Sequence, residues 1–303
     1  MPSQSEIRQQ ITHEIIESLQ QGTVPWKQPW CMDKNCGRPR NGSTMRAYNG
    51  INILLLTLHN FRHSFKSRNF ATYRQWEELG GQVVRRPAGV RSGQWGCKII
   101  LWKPVTRKAK DSEDEETFFV MRQFTVFSID QVEGDHLDHL RVGFSGNSHD
   151  PEVSIQEADE LIEASGARIV HGGNSASYDP TIDIIQMPFK HQFNGTAYYE
   201  TLFHEMCHWA EHSDRLNWDR AEKQNTYSMG ELIAEMGACF VCAELGIPQS
   251  EGMDNHAAYL GGWLKALQND PSFIFRASTQ ASKVSDYLLS FSVAHAEESA
   301  MVM

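Results

Sequence analysis

The run His204-Glu205-Met206-Cys207-His208 constrains this chain more than any other five residues. It lies among Tyr199, Leu202, Phe203, Trp209 and Ala210, an apolar density that predicts a largely buried helix from about Thr196 to His212. Residues four apart share one face of a helix, so both imidazoles can reach one ion while Glu205 points beside it. Two histidines and a glutamate buried in such a helix need polar partners or a metal. A catalytic zinc takes three protein ligands and leaves a fourth position to water, whose proton a neighbouring carboxylate can accept. A purely structural metal site would not require Glu205, the expected catalytic base.

The third ligand must come from another element. A second helix, Met229 to Leu245, stopped by Gly246 and Pro248, carries Glu231 and Glu235. Ser228 and Glu231 have the spacing of a capping box, which gives Glu231 a structural role. Glu235 sits one turn further in, amid Ile233, Ala234, Met236 and Ala238, where a carboxylate needs a cation. Glu235 is therefore the expected third ligand beside His204 and His208, with Glu231 the alternative. Imidazole and carboxylate donors suit Zn2+, and Mn2+ or another divalent metal can replace it. His212, one turn on, reads as a group orienting the ligands or as a favourable C-terminal charge; Tyr227 reads as an oxyanion donor or a packing residue.

The net charge of −10 is split: residues 1–130 carry +7 and residues 131–303 carry −17. Such asymmetry suggests two domains with different partners, the basic one attractive to a phosphate backbone. Single strands are held by basic grooves and aromatic faces on which bases stack. Residues 22–103 supply both, with Trp26, Trp30, Tyr48, Tyr73 and Trp95 interleaved with arginines. Most of those aromatics belong in a core. The expected contacts are Arg40, Arg46, Tyr48, Lys66, Arg68, Arg74 and Arg85, of which Arg46 and Tyr48 lie between Gly42 and Gly50 in a loop. No phosphate-cradling glycine loop with a following lysine occurs, which argues against nucleotide hydrolysis. No run approaches the ~18 apolar residues of a membrane helix, and Met1 to Gln10 lack a secretory pattern, so a cytoplasmic protein with no membrane partner is expected. Cys207, Cys239 and Cys242 read as small buried thiols, while Cys31 and Cys36 are too few to fill a zinc site.

Ser3 and Glu6 cap a helix that runs to Gln21; Asn49–Asn60 and Thr72–Leu79 are further helices. Lys98–Trp102 and Phe118–Ile129 read as strands, joined by an acidic hairpin loop with Asp111, Glu113, Asp114, Glu115 and Glu116. Gln131 to Pro151 is polar and reads as a linker. Beyond it Ser154 and Glu157 cap a helix ending near Gly166; strands follow at Ala167–His171 and Ile182–Met187, then four helices, the last two near Asn255–Leu267 and Ala281–Phe291.

The run from Tyr198 to Trp209, with His212, Arg215 and Leu216, resembles the zincin-like C-terminal domain of plasmid antirestriction proteins of the ArdC family, and Glu231–Ala238 is similar to that family's second helix. Tyr178-Asp179-Pro180 and Asp183-Ile184-Ile185 resemble the strand before it. Pro25-Trp26, Pro29-Trp30, Tyr48-Asn49-Gly50-Ile51-Asn52, Thr72-Tyr73-Arg74-Gln75, Gly80-Gly81 and Phe127–Gln131 resemble the single-stranded-DNA-binding domain shared by ArdC proteins and some plasmid primases. The segment Val84–Gly96 departs from the family's shorter basic turn. The resemblance implies an α+β protein: a mixed α/β DNA-binding domain over 1–130, a linker over 131–150, and a mostly helical zincin-like metallopeptidase domain with a small sheet over 151–303. It adds Asn52 to the DNA contacts and implies a conjugation-linked protein that binds single-stranded DNA and protects incoming plasmid DNA. It also implies a zinc-dependent peptidase-type site whose protein substrate the sequence does not name. The alternatives are a coating protein with a structural metal, or a DNA-associated protease that cleaves a regulator.

Overall fold

The computed structural model describes residues 3–27, 33–108, 115–144, 151–218, 227–249 and 257–292. Pro29, Trp30, Cys31, the 111–114 part of the acidic loop and Asn255 lie outside these residues. Helix α1 (Gln4–Gln20) opens on the expected capping box of Ser3 and Glu6 and buries Ile7, Ile11 and Ile15 at four-residue spacing. After β1 (Arg40–Asn41) comes α2 (Ile51–His63), whose Leu54 and Leu56 are fully buried. Strand β2 (Asn69–Thr72) leads into α3 (Tyr73–Glu78), capped by Thr72 and Gln75. Then follow β3 (Gln82–Val83), the long β4 (Cys97–Lys108) and β5 (Glu115–Ser128), and β6 (Val132–Glu133). The first sheet has the order β1-β2-β5-β4, with β1 and β2 parallel and the rest antiparallel.

The second half begins with α4 (Pro151–Ser165), β7 (Ile169–His171), β8 (Ser177–Asp179) and β9 (Ile184–Met187). These three strands form a small sheet in the order β7-β9-β8, with β8 on the edge. The helices α5 (Ala197–Ala210), α6 (Tyr227–Leu245), α7 (Ala257–Asn269) and α8 (Phe273–Leu289) complete the chain, an α+β architecture as expected. Helix α4 starts at Pro151, so Ser154 lies a turn inside it and does not cap it. Helix α8 starts at Phe273, eight residues before the expected Ala281. Among the described residues, no helix is long and apolar enough to cross a membrane.

One apolar core runs through both halves. Ile15, Leu54, Leu56 and Phe70 belong to the same cluster as Leu202, Phe203, Met206, Leu232 and Val284. The seam carries directional contacts as well. Trp26 meets Trp263 edge-on with ring centroids 6.0 Å apart. The Arg38 guanidinium donates to Asp286 at 2.5 Å, and that of Arg68 to Glu244 at 2.7 Å. The Thr12 hydroxyl donates to the Pro271 carbonyl, and the Gly50 N–H to the Ser282 hydroxyl, each at 2.8 Å. Residues 132–140, expected within a linker, are ordered against the first half. Val132, Leu137 and Leu140 form a second small core with Ala71, Trp76 and Ile129.

Candidate metal centre

Helix α5 is buried along Tyr199, Leu202, Phe203, Met206 and Ala210, which leaves His204 and His208 on the side facing a cleft. Helix α6 crosses close beside it. The approach depends on Gly237, because a Cβ there would lie 2.7 Å from both the Cys207 sulfur and a Val284 methyl. This contact brings the first turns of α6 up to the two histidines.

Three ligating atoms converge. His204 Nε2 and His208 Nε2 are 3.2 Å apart, and the Glu231 carboxylate straddles them, Oε2 3.4 Å from the first and Oε1 3.7 Å from the second. Tetrahedral donors about 2.0–2.1 Å from one ion stand roughly 3.3–3.4 Å from one another, so the histidine pair has the spacing of a zinc-type site, and one donor atom of Glu231 lies within 4.8 Å of both nitrogens. Among the described residues it is the one group of His, Cys, Asp and Glu side chains close enough to hold an ion. Glu235, the expected third ligand, stands outside this convergence. Its carboxylate lies 3.9 Å from the other nitrogen of His204, Nδ1, and accepts from the Cys239 thiol at 3.8 Å. Glu231 and Glu235 are one helical turn apart, and the register of α6 sets which one meets the Nε2 atoms. The capping reading of Glu231 does not hold, since α6 already begins at Tyr227 and Ser228 lies inside it.

The electrostatics follow from burial. Burial pulls the His204 imidazole down, but its hydrogen bond to Glu231 and the charges of Glu205, Glu235 and Glu231 raise it above the ordinary value. Burial pushes the Glu205 carboxyl up; the His204 charge opposes this and Glu231 adds to it. Burial likewise raises Glu235, against the charges of His204 and Lys27. The backbone N–H of Tyr178 opposes the effect of burial on Glu205, and Tyr178 lines the same cleft, which sets the edge strand β8 beside the site. Strand β8 is held in turn by Arg215. That guanidinium donates to Asp183 at 2.6 and 3.1 Å and to the Tyr178 hydroxyl at 3.0 Å, and lies 4.1 Å from the centre of the Trp209 ring. Asp183 adopts a left-handed φ of 54° at the turn between β8 and β9. From the sequence, Arg215 and Tyr178-Asp179 stand out only through the family resemblance, with no role assigned to them; the short strand has no alternation to read.

The cleft measures about 550 Å³ and is lined by Tyr178, His204, Glu205, His208, Tyr227 and Glu231. His212 lines it too, with Nδ1 accepting from the Asp214 N–H at 3.2 Å, and takes no part in the convergence. Tyr227 stands exposed at the rim. Glu235 lines a separate cavity of about 430 Å³ on the far side of His204, with Glu200 and Phe193.

The expected DNA contacts divide into two groups. Arg46, Lys66, Arg74 and Arg85 are exposed. Arg40 is half-buried with Nε on Asn69 at 3.1 Å, and the half-buried Tyr48 hydroxyl lies near Asn41 and the Phe70 carbonyl. Arg68 and Asn52 are committed inside the fold. Arg68 is buried in its ion pair with Glu244, and Asn52 clamps β4 by donating to the Ile100 carbonyl and accepting its N–H, each at 2.7 Å.

Two family profiles match the chain. Residues 5–127 match the N-terminal domain of the antirestriction factor ArdC, and residues 156–280 match a zincin-like metallopeptidase domain. The metal-free crystal structure of the antirestriction protein ArdC from plasmid R388 is 34% identical, with a TM-score of 0.76 over 96% of this chain and 98% of that one. The Mn(II)-bound structure of the same protein gives a TM-score of 0.71. A DNA primase TraC of Escherichia coli is 33% identical over 95% of this chain, which spans only 20% of that relative. The protein y4eC of Sinorhizobium fredii, itself uncharacterized, is 31% identical over 97% of this chain and 93% of its own length.

Proposed function

The chain belongs to the ArdC family of antirestriction proteins, and from that premise we propose that it protects DNA by binding single strands through residues 1–130 and uses a metal-dependent peptidase-type site in its C-terminal half. The observation that carries the second part is the spacing of His204 Nε2, His208 Nε2 and Glu231 at 3.2–3.7 Å, with Glu205 beside them in the same cleft. We assign His204, His208 and Glu231 as the ligands of one divalent ion, zinc by donor chemistry, and Glu235 as a carboxylate that orients His204. Such an ion supplies Lewis acidity to a scissile carbonyl and acidity to the attacking water.

The residues do the remainder. Glu205 is mostly buried, and burial favours its neutral form, so it is suited to take a proton and hand it on within one cycle. It takes the proton of the attacking water and returns it to the leaving amine. Strand β8 supports extended substrate along the cleft, because it is the edge strand of its sheet that lines the cleft. Tyr227 at the rim is placed to donate to a developing oxyanion. The protein substrate is of the class found on DNA, given the basic half joined to the site.

The test compares wild type with Glu205→Gln and with the His204→Ala, His208→Ala double variant. Both are assayed for bound metal and for protection of incoming DNA against restriction. The double variant is expected to lose metal, and Glu205→Gln to keep it while protection falls. Full protection by Glu205→Gln would make the metal a structural element and leave the single-strand binding as the whole activity.

A further inference from the structure

Strand β2 pairs with β5 only over Val126–Ser128, so the rest of β4 and β5 projects as a two-stranded ribbon. Alternation and register place Ile99, Leu101 and Lys103 on one face of it, opposite Phe124, Arg122 and Val120 respectively. Leu101 is 45% exposed and Phe124 39%; Arg122 is exposed opposite Leu101, and Lys103 is exposed two residues further along β4. Helix α2 packs beside the near half of the ribbon, where Leu55 and Asn52 hold Cys97 and Ile100, and the reverse side there is buried at Ile100 and Met121. None of these six positions on the face is acidic. Trp102 and Phe119 add exposed rings on the opposite face, 38% and 61% exposed, with the Arg8 guanidinium 5.4 Å from the Trp102 ring.

A lone ribbon is marginal in water, and large apolar side chains grouped on it need a reason to be exposed. Rings and aliphatic surface interleaved with cations form the surface that single strands require, flat faces for bases and charges for phosphates. The half that carries the ribbon is the basic one, at +7, and the acidic residues of the hairpin, Asp111 to Glu116, fall in sequence between Lys108 and Thr117, beyond the six positions of this face. We propose that the face of the β4–β5 ribbon formed by Leu101, Lys103, Arg122 and Phe124 is the main stacking platform for single-stranded DNA. This rests on the single-strand-binding reading above and gives that reading its surface.

The experiment titrates a fluorescently labelled oligothymidylate with the full chain across a salt series. Phe124→Ala is expected to weaken binding about tenfold, and Phe124→Trp to keep it. The Lys103→Ala, Arg122→Ala double variant is expected to reduce the slope of log affinity against log salt by about 1.4. The Arg46→Ala, Arg85→Ala pair, off the ribbon, is expected to cost less than Phe124→Ala. All the substituted side chains are exposed, so melting temperatures check that the fold is kept. Wild-type binding with no change in Phe124→Ala or in the salt slope of the double variant overturns the platform and leaves the binding reading intact. Absence of wild-type binding overturns both. A change of oligomeric state at unchanged DNA affinity makes the face a contact between copies of the chain and also overturns the proposal.

Discussion

At the scale of single residues, the metal centre turns on a choice between two glutamates four positions apart. Glu231 faces the two Nε2 atoms and Glu235 faces Nδ1 of His204. Titrating the metal-free protein with zinc separates them: Glu231→Gln is expected to lose more than about 100-fold in affinity, and Glu235→Gln about tenfold, the scale of a group that orients a ligand. The reverse order would make Glu235 the ligand. The histidine pair was legible because i, i+4 spacing on one helix is a property of sequence alone. Which carboxylate approaches the pair was not, because it depends on how two helices slide past each other. The spacing of Ser228 and Glu231 also imitated a cap that the helix does not use. Arg68 misled for a related reason: an arginine in a basic stretch reads as a phosphate contact, and only the fold shows it buried against Glu244.

At the scale of elements, the centre depends on how near α6 lies to α5. Gly237→Ala gains helix propensity of about 1 kcal/mol but forces a methyl into the Cys207 sulfur and Val284. The expected outcome is a net loss of about 1–2 kcal/mol in urea unfolding together with weaker metal binding, part of it recovered by adding Cys207→Ala. An unchanged midpoint would mean that the helices separate at no cost. The long apolar helices announced themselves by periodicity, whereas β8 did not: Ser177-Tyr178-Asp179 is polar on both sides. From the sequence, α8 starts eight residues late because the polar run Ser278-Thr279-Gln280 interrupts the apolar pattern after Phe273-Ile274-Phe275, although Ser278, Ser282 and Ser285 occupy its buried face. There their hydroxyls donate to carbonyls three or four residues back, and Ser282 also accepts from Gly50. Buried serines carry no apolar signal, so the pattern thins where the packing does not.

At the scale of the whole molecule, opposite charges on the two halves suggest independent domains, yet the core joins them. Charge describes a surface and says little about which interiors are shared. Trp26 against Trp263 and the Arg38–Asp286 and Arg68–Glu244 pairs cross the seam, so residues 1–130 alone would expose an apolar face and leave Arg38 and Arg68 without their carboxylate partners. Calorimetry of the full chain is expected to show a single transition, and the 1–130 fragment to unfold or aggregate. Two resolved transitions would return the halves to separate units. The seam also bears on descent. Every residue pair across it must be inherited from both sides at once, so a recombination breakpoint near residue 145 would join halves that no longer match unless both came from close kin. The unit that mobile elements can trade without penalty is then the whole stretch, consistent with a TraC primase five times its span matching it over 95% of its length.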